Sequence, residues 1–319
     1  MKAYEIVSEV LKMMMRMAVP GARGIDIDEA AEAEVIRLGG KSYNKGYKPV
    51  WAKEPYPSVC CINVNSIIAH GIPTDYVFQE GDIVGFDLGV LDGEGNCGDA
   101  AVTVSIGQIS NEKARLLRHA RFACYEGIKQ VRPGINTYEI TKAIERYSLQ
   151  RGFRVNRNFS GHGIGKEMHM RPHIYNTTEE KNEYAELSVG QILCIEPMLT
   201  TGKDAVGLMV KNGWSFVTSD GKPSAVFEHM VEVTQDGCKI LTTHFDDSDD
   251  WENSIRREVI KMSDSTMANE PVGGAVAPVT PVEPTVPAEP VAPTQPVAPE
   301  ASADAGEAAV ANSDGEASA

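Results

Sequence analysis

The residues best placed to do chemistry are those that do not suit the strands carrying them. Ile83-Val84-Gly85-Phe86-Asp87-Leu88-Gly89-Val90 is apolar except for Asp87. Glu196 interrupts Ile192-Leu193-Cys194-Ile195-Glu196-Pro197-Met198 in the same way, and Glu228 interrupts Val226-Phe227-Glu228-His229-Met230-Val231. Asp99 stands at the mouth of another such strand, Asp99-Ala100-Ala101-Val102-Thr103-Val104. Period two also puts Glu232 on the face of Glu228 and Met230. A carboxylate in an apolar strand is costly unless it is paired, protonated or bound to metal. Four converging carboxylates would repel one another strongly. Two divalent cations would cancel that charge. Oxygen-rich ligation with one imidazole suits Mn(II), Fe(II), Co(II) or Zn(II). The natural nitrogen ligand is His162 in Ser160-Gly161-His162-Gly163-Ile164-Gly165, where glycines permit close backbone approach.

The elements that must position these residues repeat. Pro20-Gly21 precedes a helical pattern over 26–38 that stops at Gly39-Gly40, and Pro133-Gly134 precedes another over 137–150 that stops near Gly152. Glycine after a periodic apolar run is a helix stop signal. His70-Gly71-Ile72 is echoed by His162-Gly163-Ile164, and Gly81-Asp82-Ile83-Val84-Gly85-Phe86-Asp87 by Gly190-Gln191-Ile192-Leu193-Cys194-Ile195-Glu196. The expectation is an α+β fold of two related halves, about 1–108 and 109–245, packed about a pseudo-twofold axis. A carboxylate falls late in a strand of each half, and a cleft lies at the seam.

Composition limits the rest. The chain has 319 residues, with 30 Lys+Arg against 45 Asp+Glu and a net charge of −15. That balance argues against nucleic-acid binding through bulk electrostatics. Hydrophobic residues make up 42%, enough for a sizeable core. No apolar run reaches the ~18 residues of a membrane span, and the N-terminus lacks a signal-peptide pattern. Six cysteines without a CxxC pair suggest free thiols in a cytoplasmic enzyme. Residues 246–263 read as a linker, with an acidic patch over 246–252 followed by a short helix over 253–263. From Asp264 onward there is no Lys, Arg, Phe, Tyr or Trp, and prolines recur every third position from Pro278 to Pro299. This tail, 264–319, is expected to be disordered and partly polyproline II.

Taken in order, Ala69-His70-Gly71-Ile72-Pro73, Gly81-Asp82-Ile83-Val84, Gly161-His162-Gly163-Ile164-Gly165, Ile195-Glu196-Pro197-Met198 and Phe227-Glu228-His229 resemble the type I methionine aminopeptidases. The similarity spans about residues 3 to 243. It implies the pita-bread (creatinase/aminopeptidase-like) fold with a central antiparallel sheet. It also implies two divalent metals held by Asp87, Asp99, His162, Glu196 and Glu228, with Asp99 and Glu228 bridging. By the same resemblance His70 and His169 contact the scissile peptide, and Glu196 shuttles a proton. Tyr47 and Trp214 flank the substrate, and Tyr56, Cys61 and Met168 line a methionine pocket. The implied reaction is removal of the initiator methionine by a metal-bridging hydroxide, from chains whose second residue is small. The implied setting is a cytoplasmic monomer acting on methionyl peptides and nascent chains, with the ribosome as a further partner.

Some positions depart from that family. Residues 48–53 look like an insertion near the pocket. Ser66 replaces a frequent acid and Ala69 a frequent Cys or Val, while Met168 and Met170 replace an aromatic and a Glu. None is a metal ligand, so they bear on selectivity. No N-terminal CxxC zinc region is present for ribosome docking. Two other readings stay open: an Xaa-Pro aminopeptidase or dipeptidase of the same fold, and a non-catalytic module that kept the fold.

Overall fold

The computed structural model describes residues 1–179, 182–203 and 207–245. The acidic linker and the Pro-rich tail lie outside the described residues. Helix α1 (Ala3–Met17) forms where apolar residues recur at helical spacing. Its Ile6, Val7, Val10, Leu11 and Met14 are wholly buried, each contributing roughly 1.5–3 kcal/mol relative to exposure. α2 (Gly24–Arg37) follows, then β1 (Lys41–Ser42), β2 (Cys61–Val64), β3 (Ile67–Ala69), β4 (Ile83–Leu91) and β5 (Cys97–Ser105).

The pattern then restarts with α3 (Asn111–Ile128) and α4 (Thr137–Gln150). These lead into β6 (Arg154–Val155), β7 (Ser160–Gly163), β8 (Met170–Tyr175), β9 (Ile192–Ile195) and β10 (Met198–Thr200). β11 (Gly207–Met209), β12 (Phe216–Thr218), β13 (Ser224–Val226), β14 (His229–Val233) and β15 (Cys238–Ile240) complete the described chain. The expected repeat of a helix pair followed by antiparallel strands is therefore present. α4 has the bounds read from sequence, because Asn136 caps it and accepts from Tyr138 N–H at 2.9 Å. α2 starts earlier than Asp26, which lies in its first turn and pairs with Arg23.

Two sheets carry the fold. In one, β4 lies between β1 and β2 along one edge and β5 along the other. The second runs β15-β14-β9-β7-β8, and every pairing is antiparallel. They meet at a bridge between Val102 of β5 and Phe227. Glu228 N–H donates to the Ala101 carbonyl beside it at 2.9 Å. The Thr103 hydroxyl donates to the Val226 carbonyl and accepts from Val226 N–H, both at 2.9 Å. A large core under both sheets takes in Phe78, Phe86, Leu116, Ile140 and Phe227.

Two sequence expectations shift in detail. Asp87 is not late in its strand but central, because β4 continues to Leu91 and pairs with β5 along its whole length. Glu196 and Glu228 sit just outside strands, between β9 and β10 and between β13 and β14. Among the described residues, no helix is long and apolar enough to cross a membrane.

Candidate metal centre

The seam between the two sheets opens into a cleft of ≈650 Å³. All four carboxylates line it: Asp87 from β4, Asp99 from β5, Glu196 after β9 and Glu228 before β14. His162 enters from β7, with Nε2 3.7 Å from Asp99 Oδ2 and 3.6 Å from Glu196 Oε1. Its Nδ1 lies 3.0 Å from the Gly163 carbonyl oxygen, which can only accept. The ring proton therefore sits on Nδ1, and the Nε2 lone pair faces the acids. Gly161 makes this approach possible, because a Cβ there would collide with the Cys194 carbonyl oxygen of β9.

Burial sets the electrostatics. It pushes Asp87 up to about 6. Asp99 is raised well above the usual carboxylate range by burial, then by Glu228 and Asp87. Glu196 and Glu228 are raised for the same kind of reason, with burial first and neighbouring acids next. Burial also lowers His162 to about 4, so the ring is neutral near pH 7. Glu228 Oε1 is buried with no hydrogen-bond partner. Ligand atoms of Asp99, His162, Cys194 and Glu228 all lie within 4.8 Å of one another. A crowded, buried set of carboxylate oxygens with one imidazole nitrogen and an orphaned oxygen is a good fit for divalent cations.

Cys194 was not among the residues singled out from sequence. It lies two residues before Glu196 and pairs with His162 in the β7–β9 register, a placement that only the fold reveals. Burial raises its thiol well above the usual range. Glu232, by contrast, lies farther along β14, paired with Ile192 and Lys239 away from the cleft acids.

The remaining sequence-marked residues surround the acids. His70 lies in the left-handed region at φ +55°, rare for a residue with a side chain. Its Nδ1 is buried without a partner, and burial lowers its pKa to about 4. His169 faces the cleft on an exposed turn, its ring 4.6 Å from that of His162. Tyr56, Cys61 and Trp214 pack in one buried cluster with Ala52, and Tyr47 flanks it. The Tyr56 hydroxyl donates to the Gly71 carbonyl at 2.9 Å, which fixes the ring. Met168 belongs to a different cluster, with Cys97 and Cys194, yet it also lines the cleft. Thus the structure brings together every catalytic, metal and substrate candidate from the sequence. It adds Trp51, Phe159, Phe216 and Met209 to the walls.

Comparisons with known proteins agree with this arrangement. The sequence profile of metallopeptidase family M24 matches residues 1–235. A methionine aminopeptidase of Aquifex aeolicus (strain VF5) is 35% identical over 243 residues, covering 76% of this chain and 93% of that protein. The crystal structure of a methionine aminopeptidase from Thermotoga maritima is 34% identical. It superposes with a TM-score of 0.70 over 75% of this chain and 93% of that one. A prolidase from Pyrococcus furiosus shares the fold at 20% identity and a TM-score of 0.59 over 76% of this chain, but this chain spans only 62% of it.

Proposed function

The chain belongs to metallopeptidase family M24, and from that premise we propose that the seam cleft removes N-terminal methionine from peptides by metal-dependent hydrolysis. The fold is the family's pita-bread fold, and the enzyme is a methionyl aminopeptidase that uses divalent metal. The observation that carries the reading is the convergence of four carboxylates, Asp99 and Glu228 buried and Asp87 and Glu196 partly so, and of His162 beside His70 and His169. The Xaa-Pro alternative has only fold-level likeness behind it, and the module alternative leaves the intact donor set without a role.

Asp87, Asp99, His162, Glu196 and Glu228 would hold two divalent ions. When bound, such ions supply Lewis acidity, which makes a water nucleophilic near neutral pH and polarises the scissile carbonyl. The chain's own groups do the rest. His70 is neutral, and its unpartnered Nδ1 gives it unused hydrogen-bonding capacity for the scissile peptide. His169 donates to the developing oxyanion. Glu196, lining the cleft beside the other acids, shuttles a proton to the leaving amine. The buried acids receive the free α-amine, which confines cleavage to the first residue. Tyr56, Cys61 and Met168 line a narrow soft pocket suited to an unbranched thioether, with Trp214 packed against Tyr56 and Cys61 and Tyr47 flanking them.

We place this chemistry in residues 1–245, in halves of about 1–108 and 109–245, with 246–263 as linker and 264–319 as a tail outside the reaction. The setting is cytoplasmic: a monomer acts on nascent chains near the ribosome. The deciding experiment is turnover of Met-Ala-Ser beside Gly-Pro and Ala-Pro-Ala, on metal-free protein titrated with Mn(II), Fe(II), Co(II) or Zn(II). Release of methionine alone, dependent on metal, is expected. Cleavage before proline without a methionine requirement would move the chain to the Xaa-Pro branch.

A further inference from the structure

Segment 48–53, which reads as an insertion by the family resemblance, contributes Pro49 and Trp51 to the wall of the cleft. Ala52 is buried in the same cluster as Tyr56, Cys61 and Trp214. The Trp214 indole N–H donates to the Glu54 carbonyl just beyond the insertion, at 3.1 Å. Trp51 packs edge-on to Trp214, with ring centroids 5.0 Å apart, and lies stacked at 19° to the ring of His70, 6.1 Å away. The segment is thus fastened to a pocket residue and set against a site histidine. Yet Trp51 remains 49% exposed while it lines the cleft with Pro49 and Met209. A half-exposed indole held rigid by aromatic neighbours has an open face for a ligand side chain.

The position of that face suggests what it meets. An extended peptide advances at most ~3.3–3.6 Å per residue. Trp51 stands about two such steps from His70, the group assigned to the scissile peptide. The cleft, at ≈650 Å³, also has the capacity of sites that enclose drug-sized ligands, more than one methionine side chain needs.

We propose that Trp51 is a specificity-determining residue: its indole is a shelf for the side chain of the peptide's third residue and favours a large aromatic or apolar one. This rests on the reading of the cleft as a methionine-releasing site. The second residue stays small, because it lies between the shelf and the metal ligands.

The test compares kcat/KM for methionine release from Met-Ala-Phe-Ser and Met-Ala-Gly-Ser, using the full metal-loaded chain. In the parent protein the Phe peptide should be preferred by about five-fold or more. Trp51→Ala should bring the ratio close to one, whatever its effect on the absolute rate, and Trp51→Phe should keep most of the preference. A purely structural Trp51 would lower both rates together and leave the ratio alone. If Trp51→Ala abolishes turnover, Trp51→Leu reads the same ratio with bulk against His70 retained. A parent ratio near one, or a preference that survives loss of the aromatic ring, overturns the shelf. Absence of methionine release from both peptides with every metal overturns the functional reading itself.

Discussion

Glu228 is the residue at which loss of one charge should register most directly. Its side chain is buried, one carboxylate oxygen has no partner, and its N–H is tied to Ala101. Glu228→Gln and Asp99→Asn preserve shape but remove one negative charge each. Both should abolish methionine release and lower the metal bound per chain, as measured by elemental analysis. Full metal content in either variant would contradict a ligand role. His169→Ala should behave differently, with kcat reduced by about 10²-fold or more and metal content unchanged. The acids and His162 are legible in the sequence because a charge inside an apolar strand, or a histidine between glycines, is locally anomalous. Cys194 is not, since a cysteine among apolar strand residues fits its surroundings.

At the scale of elements, the critical contact is the approach of β7 to β9. Gly161→Ala would press a methyl group against the Cys194 carbonyl, a backbone atom that cannot turn aside. The expected loss is ~2 kcal/mol or more, read from urea unfolding, together with weakened metal binding through His162. An unchanged unfolding midpoint would mean that the strands separate at no cost. Elements with local signals were read well from sequence: α4 carries its cap and its glycine stop beside it. The segment 48–53 could be recognised only as an insertion. It has no periodic pattern, and its partners, His70 and Trp214, are distant in sequence.

For the whole molecule, the buried titratable groups give a signed pH dependence. Burial lowers His70, His119 and His162 to about 4 and His244 to about 3. Their contribution to stability is complete above the unfolded histidine value and is lost as the pH falls below it. The cleft acids act in the opposite sense: raised in the folded state, they hold protons that the unfolded chain has released. Their contribution is present at low pH and is lost as the pH rises through the folded values. Between about pH 7.5 and 8.5 the histidines are almost wholly neutral in both states, and the buried thiols of Cys60, Cys61, Cys124 and Cys194, also raised by burial, act in the same sense as the carboxylates. The melting temperature of the metal-free protein should therefore fall with pH across that window. Saturating Mn(II) should raise it and flatten the slope, because the ions favour the ionised acids that the folded site otherwise resists. A positive slope in the metal-free protein would contradict the assignment. The seam adds a further consequence. Asp87 and Asp99 precede the loop between β5 and α3, while His162, Glu196 and Glu228 follow it. A cut in that loop would divide the donor set between two fragments, neither able to complete the site. Their reassembly would close the shared core and complete the donor set together, so a bound cation would tighten the association.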